Sequence, residues 1–139
     1  MEGTIPFEGS ETWYRITGSL EDGVPLIALH GGPGATHEYL LSLTDLAGDR
    51  AVVHYDQVGN GRSTHYPDRG AEFWTVELFV RELHNLVDAL GIRGGHHVLG
   101  QSWGGFLAQE YAFTHVGLVN SAYNLSHHDS PHKQRPRRS

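Results

Sequence analysis

Ser102 is the residue of this sequence whose surroundings best suit a nucleophile. It stands in Gly100-Gln101-Ser102-Trp103-Gly104, after a short apolar run and before a segment of helical composition. In a G-x-S-x-G turn between a strand and a helix, the serine adopts strained backbone angles and its hydroxyl points outward. The helix N-terminus behind it places a positive dipole end near developing negative charge. The pattern predicts a nucleophilic serine, although the same five residues also occur in turns that have no catalytic role.

A second glycine-rich segment, His30-Gly31-Gly32-Pro33-Gly34, follows the apolar run at residues 24–29. In a strand–turn–helix site of this kind, the oxyanion hole takes one N–H from the residue after the nucleophile and one from such a loop. We therefore predict that the N–H groups of Trp103 and Gly32 form the oxyanion hole. Gly31 and Gly34 shape the turn, and we interpret His30 as a brace of the loop rather than as a proton carrier.

The segment from Asp56 to Ser63, Asp-Gln-Val-Gly-Asn-Gly-Arg-Ser, resembles a phosphate-binding loop only superficially. It lacks the third glycine of the dinucleotide pattern, and the sequence contains no Gly-Lys-Ser or Gly-Lys-Thr. We therefore expect no nucleotide cofactor. Asp56 and Gln57 are interpreted as structural loop residues, with Asp56 bonding the backbone of its own loop.

No other cofactor and no metal site is predicted. The sequence contains no cysteine, which excludes thiolate zinc sites and a cysteine nucleophile. The histidine pairs at 96–97 and 127–128 are adjacent, whereas the H-E-x-x-H zinc motif places its histidines four residues apart on one helical face.

Composition narrows the classes of partner. The formal net charge of −6 argues against nucleic acid and against an anionic membrane surface. No apolar stretch approaches the roughly 20 residues of a membrane helix, and the N-terminus lacks a basic region followed by an apolar run. We therefore expect a cytoplasmic protein that binds neither nucleic acid nor membrane.

Hydrophobic patterning predicts an α/β fold. An N-terminal β-hairpin is expected from residues 5–7 and 13–17, and apolar runs predict strands at 24–29, 51–55 and 97–99. Helical spacing is found at residues 38–47, 76–90 and 106–114, with Thr75 as a candidate N-cap and Gly91 as a candidate C′ residue. Alternation of strands and helices predicts a mostly parallel sheet with helices on both faces.

Taken together, the motifs at 30–34, 56–63 and 100–105 resemble the proline iminopeptidase branch of the α/β-hydrolases, which includes amidases of L-amino-acid amides such as prolinamide. The resemblance covers residues 3–115. It implies an α/β-hydrolase fold and a serine aminopeptidase or amidase that works without a cofactor. Its partner would be a small peptide or amino-acid amide, attacked by Ser102 to form an acyl-enzyme.

The family pattern also includes a triad Asp and His far beyond the nucleophile, and a helical cap between them. Only 37 residues follow Ser102 in this sequence. We therefore interpret residues 1–115 as the N-terminal part of an incomplete α/β-hydrolase domain. Residues 116–139 are interpreted as a divergent tail, largely disordered from about 127. Asp129 and His132 lie in a polar segment without packing support and are not expected to replace the triad.

Two functional hypotheses follow. The chain belongs to a serine hydrolase but is inactive alone, or it is a non-catalytic truncated or frame-shifted fragment or interaction module. Haloalkane dehalogenases and epoxide hydrolases would place Asp at position 102, and dienelactone-type hydrolases would place Cys there, so these classes fit less well.

Overall fold

The computed structural model describes residues 1–31, 50–66, 68–70, 72–125 and 137–138. The chain begins with a β-hairpin in which β1 (Glu2–Phe7) and β2 (Ser10–Thr17) pair antiparallel. Its two-residue turn, Glu8 and Gly9, has positive φ at both positions (45° and 85°). Such turns match the right-handed twist of the paired strands. The predicted hairpin is confirmed, with longer strands than expected.

Four parallel strands form the centre of the sheet. They are β3 (Leu26–Leu29), β4 (Val52–Tyr55), β5 (His96–Gln101) and β6 (Val119–Leu125). Among the described residues the order is β1-β2-β4-β3-β5-β6-β7, in which β7 is the two-residue strand Arg137–Arg138 and β2 is antiparallel to β4. Every residue of β3 and β4 is buried, as expected of strands covered on both faces. The predicted α/β class with a mostly parallel sheet is confirmed.

The two described helices lie on one face of the sheet, because they contact each other. Helix α1 (Val76–Leu90) begins and ends as predicted. The Thr75 side chain accepts a hydrogen bond from the Leu78 N–H at 3.1 Å, and Gly91 adopts a left-handed φ of 71°. The helix predicted at 38–47 lies outside the described residues.

Helix α2 (Trp103–Thr114) begins three residues earlier than predicted. Gly104 and Gly105 form its first turn, although glycine has a low helix propensity. The absence of a side chain at these two glycines lets α2 approach the sheet closely, because both pack against neighbouring strands. Helix α2 packs on β3, β5 and β6 and contributes Leu107 and Tyr111 to the core. Neither described helix is long and apolar enough to cross a membrane.

The segment after α2 forms more structure than expected. Residues 119–125, which we assigned to a divergent tail, form β6, whose register with β5 runs from His96↔Val119 to Gln101↔Leu125. A two-residue strand, β7 (Arg137–Arg138), pairs antiparallel with β6. Residues 126–136 lie outside the described residues, so disorder there stays a prediction.

Candidate active site

Ser102 occupies a sharp turn at the carboxyl end of the sheet. Strand β5 ends at Gln101 and α2 begins at Trp103, so one residue joins the two elements. Ser102 has φ 54° and ψ −116°, and it is one of two described non-glycine residues with positive φ. A side chain in this region costs about 1–3 kcal/mol and persists only where the surroundings enforce it. The strained strand-to-helix turn predicted from the sequence is therefore present.

Three glycines around the turn leave no room for side chains. A Cβ on Gly100 would overlap with the backbone of Gly104, and a Cβ on Gly104 would overlap with the carbonyl group of Leu29. A Cβ on Gly105 would overlap with the side chain of Asn124 on β6. The helix thus approaches the backbone of β3 and β5 and a side chain of β6 closely, and this packing holds the strained geometry of the turn.

Gly31, two residues after β3, lies beside this turn. A Cβ on Gly31 would lie 3.3 Å from the carbonyl oxygen of Gln101 and 3.7 Å from Cβ of Ser102. Trp103, as the first residue of α2, has a backbone N–H without an acceptor inside the helix. Gly32 and Gly34 lie outside the described residues, so the second oxyanion donor stays a prediction.

His30 is fully buried, and both of its ring nitrogens are bonded to the backbone. Its Nε2 accepts a hydrogen bond from the N–H of Gln57 at 2.9 Å, and its Nδ1 lies 2.6 Å from the carbonyl oxygen of Gly31. An accepting Nε2 places the proton on Nδ1, which donates to Gly31. This geometry suits a loop brace, since neither nitrogen is available to exchange a proton with a substrate.

Gln57 joins three parts of the site through one buried side chain. Its Nε2 donates to the carbonyl oxygen of His30 at 3.0 Å, and its Oε1 accepts from the indole N–H of Trp103 at 2.9 Å. The sequence interpretation had given Gln57 only a role within its own loop. Its connection to the residue after the nucleophile has no local sequence signal, because the two residues are 46 positions apart.

Asp56 organises the loop from residue 56 to 63. Its carboxylate accepts a hydrogen bond from the N–H of Arg62 at 3.0 Å, and its carbonyl oxygen accepts one from the hydroxyl of Ser63. Gly61 adopts a φ of +52°, and a Cβ there would overlap with the Asp56 carboxylate. Asp56 thus bonds backbone of its own loop, the arrangement that we inferred from the sequence.

Glu82 is a buried carboxyl group that the sequence did not reveal. It lies on α1 and is fully buried, where it accepts hydrogen bonds from the hydroxyl of Thr12 at 2.6 Å and the N–H of Val58 at 2.9 Å. Burial raises the pKa of Glu82 to about 7, against the opposing effect of these two hydrogen bonds. The side chain therefore connects α1 with β2 and with the loop that carries Gln57.

A row of aromatic rings continues from Trp103. Phe79 meets Trp103 edge-on at 5.6 Å between centroids, and Trp74 stacks on Phe79 at 6.1 Å. On the other side, Phe106 lies 5.6 Å from Trp103 and is 45% exposed. The row brings apolar surface to the neighbourhood of Ser102.

The histidines at the amino end of β5 lie far from Ser102. His96 and His97 precede it by six and five residues in an extended strand, a separation of roughly 16–20 Å. Burial lowers the pKa of both groups. No group of three histidine or acidic residues able to hold a metal ion occurs in the described part of the chain.

Comparison with known proteins places this site in a family. The sequence profile of the family described as "alpha/beta hydrolase fold" matches residues 24–137. This match continues past residue 115, where the motif resemblance ends.

Individual relatives support the resemblance to proline iminopeptidases. The proline iminopeptidase of Lactobacillus acidophilus is 49% identical over 113 residues, which are 80% of this chain and 38% of that protein. The chain therefore spans about two fifths of the length of this curated relative.

Two solved structures have the same fold. The crystal structure of VinJ matches with a TM-score of 0.82 and 51% identity, over 86% of this chain and 41% of that one. The proline iminopeptidase of Mycobacterium smegmatis matches with a TM-score of 0.79 and 48% identity, over 86% of this chain and 41% of that one.

Proposed function

The chain belongs to the α/β-hydrolase family, and we propose from that premise that it carries the nucleophile of a serine hydrolase of the proline iminopeptidase type. The reaction is the release of an N-terminal amino acid, proline above all, from a peptide or amide. The observation that carries the proposal is the strained Ser102, held between β5 and α2 beside the loop of Gly31.

In the proposed reaction, the hydroxyl oxygen of Ser102 attacks the carbonyl carbon of the scissile amide. The serine proton passes to a histidine base, and the carbonyl oxygen becomes an oxyanion bonded by the N–H groups of Trp103 and Gly32. Collapse of this intermediate transfers the proton to the departing amine and leaves an acyl group on Ser102. Water then releases the free amino acid.

We assign the base and its acidic partner to the part of the family fold that lies outside the matched two fifths of the relatives. His30 is unsuited to the role, because Gln57 and Gly31 occupy its two ring nitrogens. On this proposal the chain alone does not turn over substrate, since a serine without an adjacent base is a weak nucleophile.

The test uses a fusion protein. Residues 1–125 are fused to the C-terminal portion of the Lactobacillus acidophilus proline iminopeptidase that the chain does not match, and cleavage of proline 4-nitroanilide is measured. We expect turnover that falls by about 10³-fold or more in Ser102→Ala. Ser19→Ala, a serine change in the turn after β2, is the matched control and retains activity. A folded fusion whose turnover survives Ser102→Ala contradicts the proposal.

A non-catalytic interaction module is the second candidate, favoured by apolar surface on α2. Phe113 is 80% exposed and Val116 is 82% exposed, and they line a shallow groove together with Gln109 and Ala112. Exposed apolar patches of this kind mark contact surfaces. A folded, inactive fusion would favour this candidate.

A further inference from the structure

Gln57 lies between the two segments that supply the proposed oxyanion donors. Its side chain is 1% exposed. One end of the amide bonds the carbonyl oxygen of His30, and the other end bonds the indole N–H of Trp103. Its backbone N–H bonds Nε2 of His30 as well. One residue therefore connects the loop after β3 with the first residue of α2.

The two partners demand opposite chemistry from this side chain. The carbonyl oxygen of His30 requires a donor, and the indole N–H of Trp103 requires an acceptor. A terminal amide provides both on one planar group without adding charge. A carboxylate would accept from Trp103 but would repel the carbonyl oxygen of His30.

The position of Trp103 matters because of its neighbour. Ser102 has a positive φ of 54°, a conformation that persists only where the surroundings over-determine it. Phe79 supports one side of the indole, and Gln57 bonds its polar edge. Catalytic groups must be held within about 0.5 Å of their productive positions by such supporting contacts.

We propose that Gln57 is a positioning residue that holds Trp103 against His30 and thereby fixes the proposed oxyanion donor that follows Ser102. The inference rests on the proposed function for its catalytic meaning. The hydrogen bonds of Gln57 with His30 and Trp103 are present in the free protein, so their effect is measured without any substrate.

The experiment is NMR spectroscopy of the 139-residue chain labelled with ¹⁵N. Gln57→Met keeps the length of the side chain and removes both the donor and the acceptor. We expect the backbone amide signal of Trp103 to shift and its indole N–H to exchange with solvent about tenfold faster. Gln57→Glu keeps the acceptor, so the indole N–H should remain protected. That rescue separates positioning of Trp103 from a general loss of stability, which would speed exchange in both variants.

Two controls make the result specific. The ring nitrogen signals of His30 should keep their pattern in both variants, because the bond from the Gln57 backbone survives. Gln109→Met makes the same chemical change on the surface of α2 and should leave Trp103 unaltered. The proposal would be overturned if the Trp103 signals of Gln57→Met coincided with those of the unaltered chain. It would also be overturned if the indole N–H lost as much protection in Gln57→Glu as in Gln57→Met. If the fusion showed no Ser102-dependent cleavage, the proposed function would be contradicted, but the NMR result on Gln57 and Trp103 would be unaffected.

Discussion

Gly104 lies against the carbonyl group of Leu29 so closely that a Cβ on Gly104 would overlap with it. This contact fixes the start of α2 to the end of β3, the strand that leads into the loop of His30. The nucleophile turn and the proposed oxyanion loop are therefore joined through backbone as well as through Gln57.

The first prediction concerns that contact. Gly104→Ala should destabilise the chain by about 3 kcal/mol, because the new methyl group meets backbone that cannot move aside. Urea unfolding measures the change. Gly94→Ala is the matched control, since a Cβ at Gly94 has nothing within 4 Å. Equal stability of the two variants would mean that α2 can shift away from β3 at little cost.

The second prediction concerns strain at Ser102. Its angles, φ 54° and ψ −116°, mirror an extended conformation that glycine adopts freely. Ser102→Gly should therefore be more stable than Ser102→Ala by about 1 kcal/mol, since both lack the hydroxyl and only alanine retains the Cβ. Thermal unfolding of the two variants is the measurement. A more stable alanine variant would contradict the strained geometry.

Local signals were sufficient for most of the predicted elements. Thr75 and Gly91 bound α1 because capping depends on residues within one turn of the helix end. The nucleophile turn was likewise predictable, because its glycines are required by contacts at fixed offsets from Ser102.

Contacts between distant residues were not predictable. Glu82 looks like a surface residue of a helix, and only its hydrogen bond to Thr12, 70 positions away, explains its burial. The early start of α2 was missed because low helix propensity at Gly104 and Gly105 is overridden by close packing against the sheet. Strand β6 was underestimated because pairing with β5 stabilises a segment whose own apolar content is modest.

The third prediction uses the titration of Glu82. Burial raises its pKa from 4.5 to about 7, so the folded chain binds this proton more tightly than the unfolded chain. The stability from the protonated group is fully present below pH 4.5 and is lost as the pH rises to about 7. Relative to Glu82→Gln, which does not titrate, the wild-type chain should lose about 3 kcal/mol across that range.

Urea unfolding of both chains between pH 4.5 and 8 measures this difference. His96, His97 and His115, whose pKa values are lowered by burial, are present in both chains and cancel. Glu77→Gln makes the same substitution at an exposed position of the same helix and is the matched control. A pH-independent difference for Glu82→Gln would show that its carboxyl group titrates as in the unfolded chain.

The fourth prediction concerns activity of the 139-residue polypeptide by itself. We expect no measurable cleavage of proline 4-nitroanilide, because an unassisted serine hydroxyl is a weak nucleophile. An oxyanion hole without a catalytic base supports only a small residual rate of cleavage. Robust turnover that disappears in Ser102→Ala would instead indicate a base within residues 126–136, a segment that contains three histidines.

The last prediction tests Gln57 through kinetics in the fusion with the Lactobacillus C-terminal portion. Gln57→Met should lower kcat about tenfold and leave KM within about twofold, because the oxyanion bonds strengthen in the transition state rather than in the bound substrate. Gln109→Met should change neither constant.

A double variant tests whether Gln57 acts through Trp103. If it does, Gln57→Met made in the Trp103→Phe background should have little further effect, since the indole N–H that Gln57 bonds is already gone. Such coupling is the signature of two residues acting as one unit. Additive losses in the double variant would mean that Gln57 supports the reaction by a route that does not pass through the indole of Trp103.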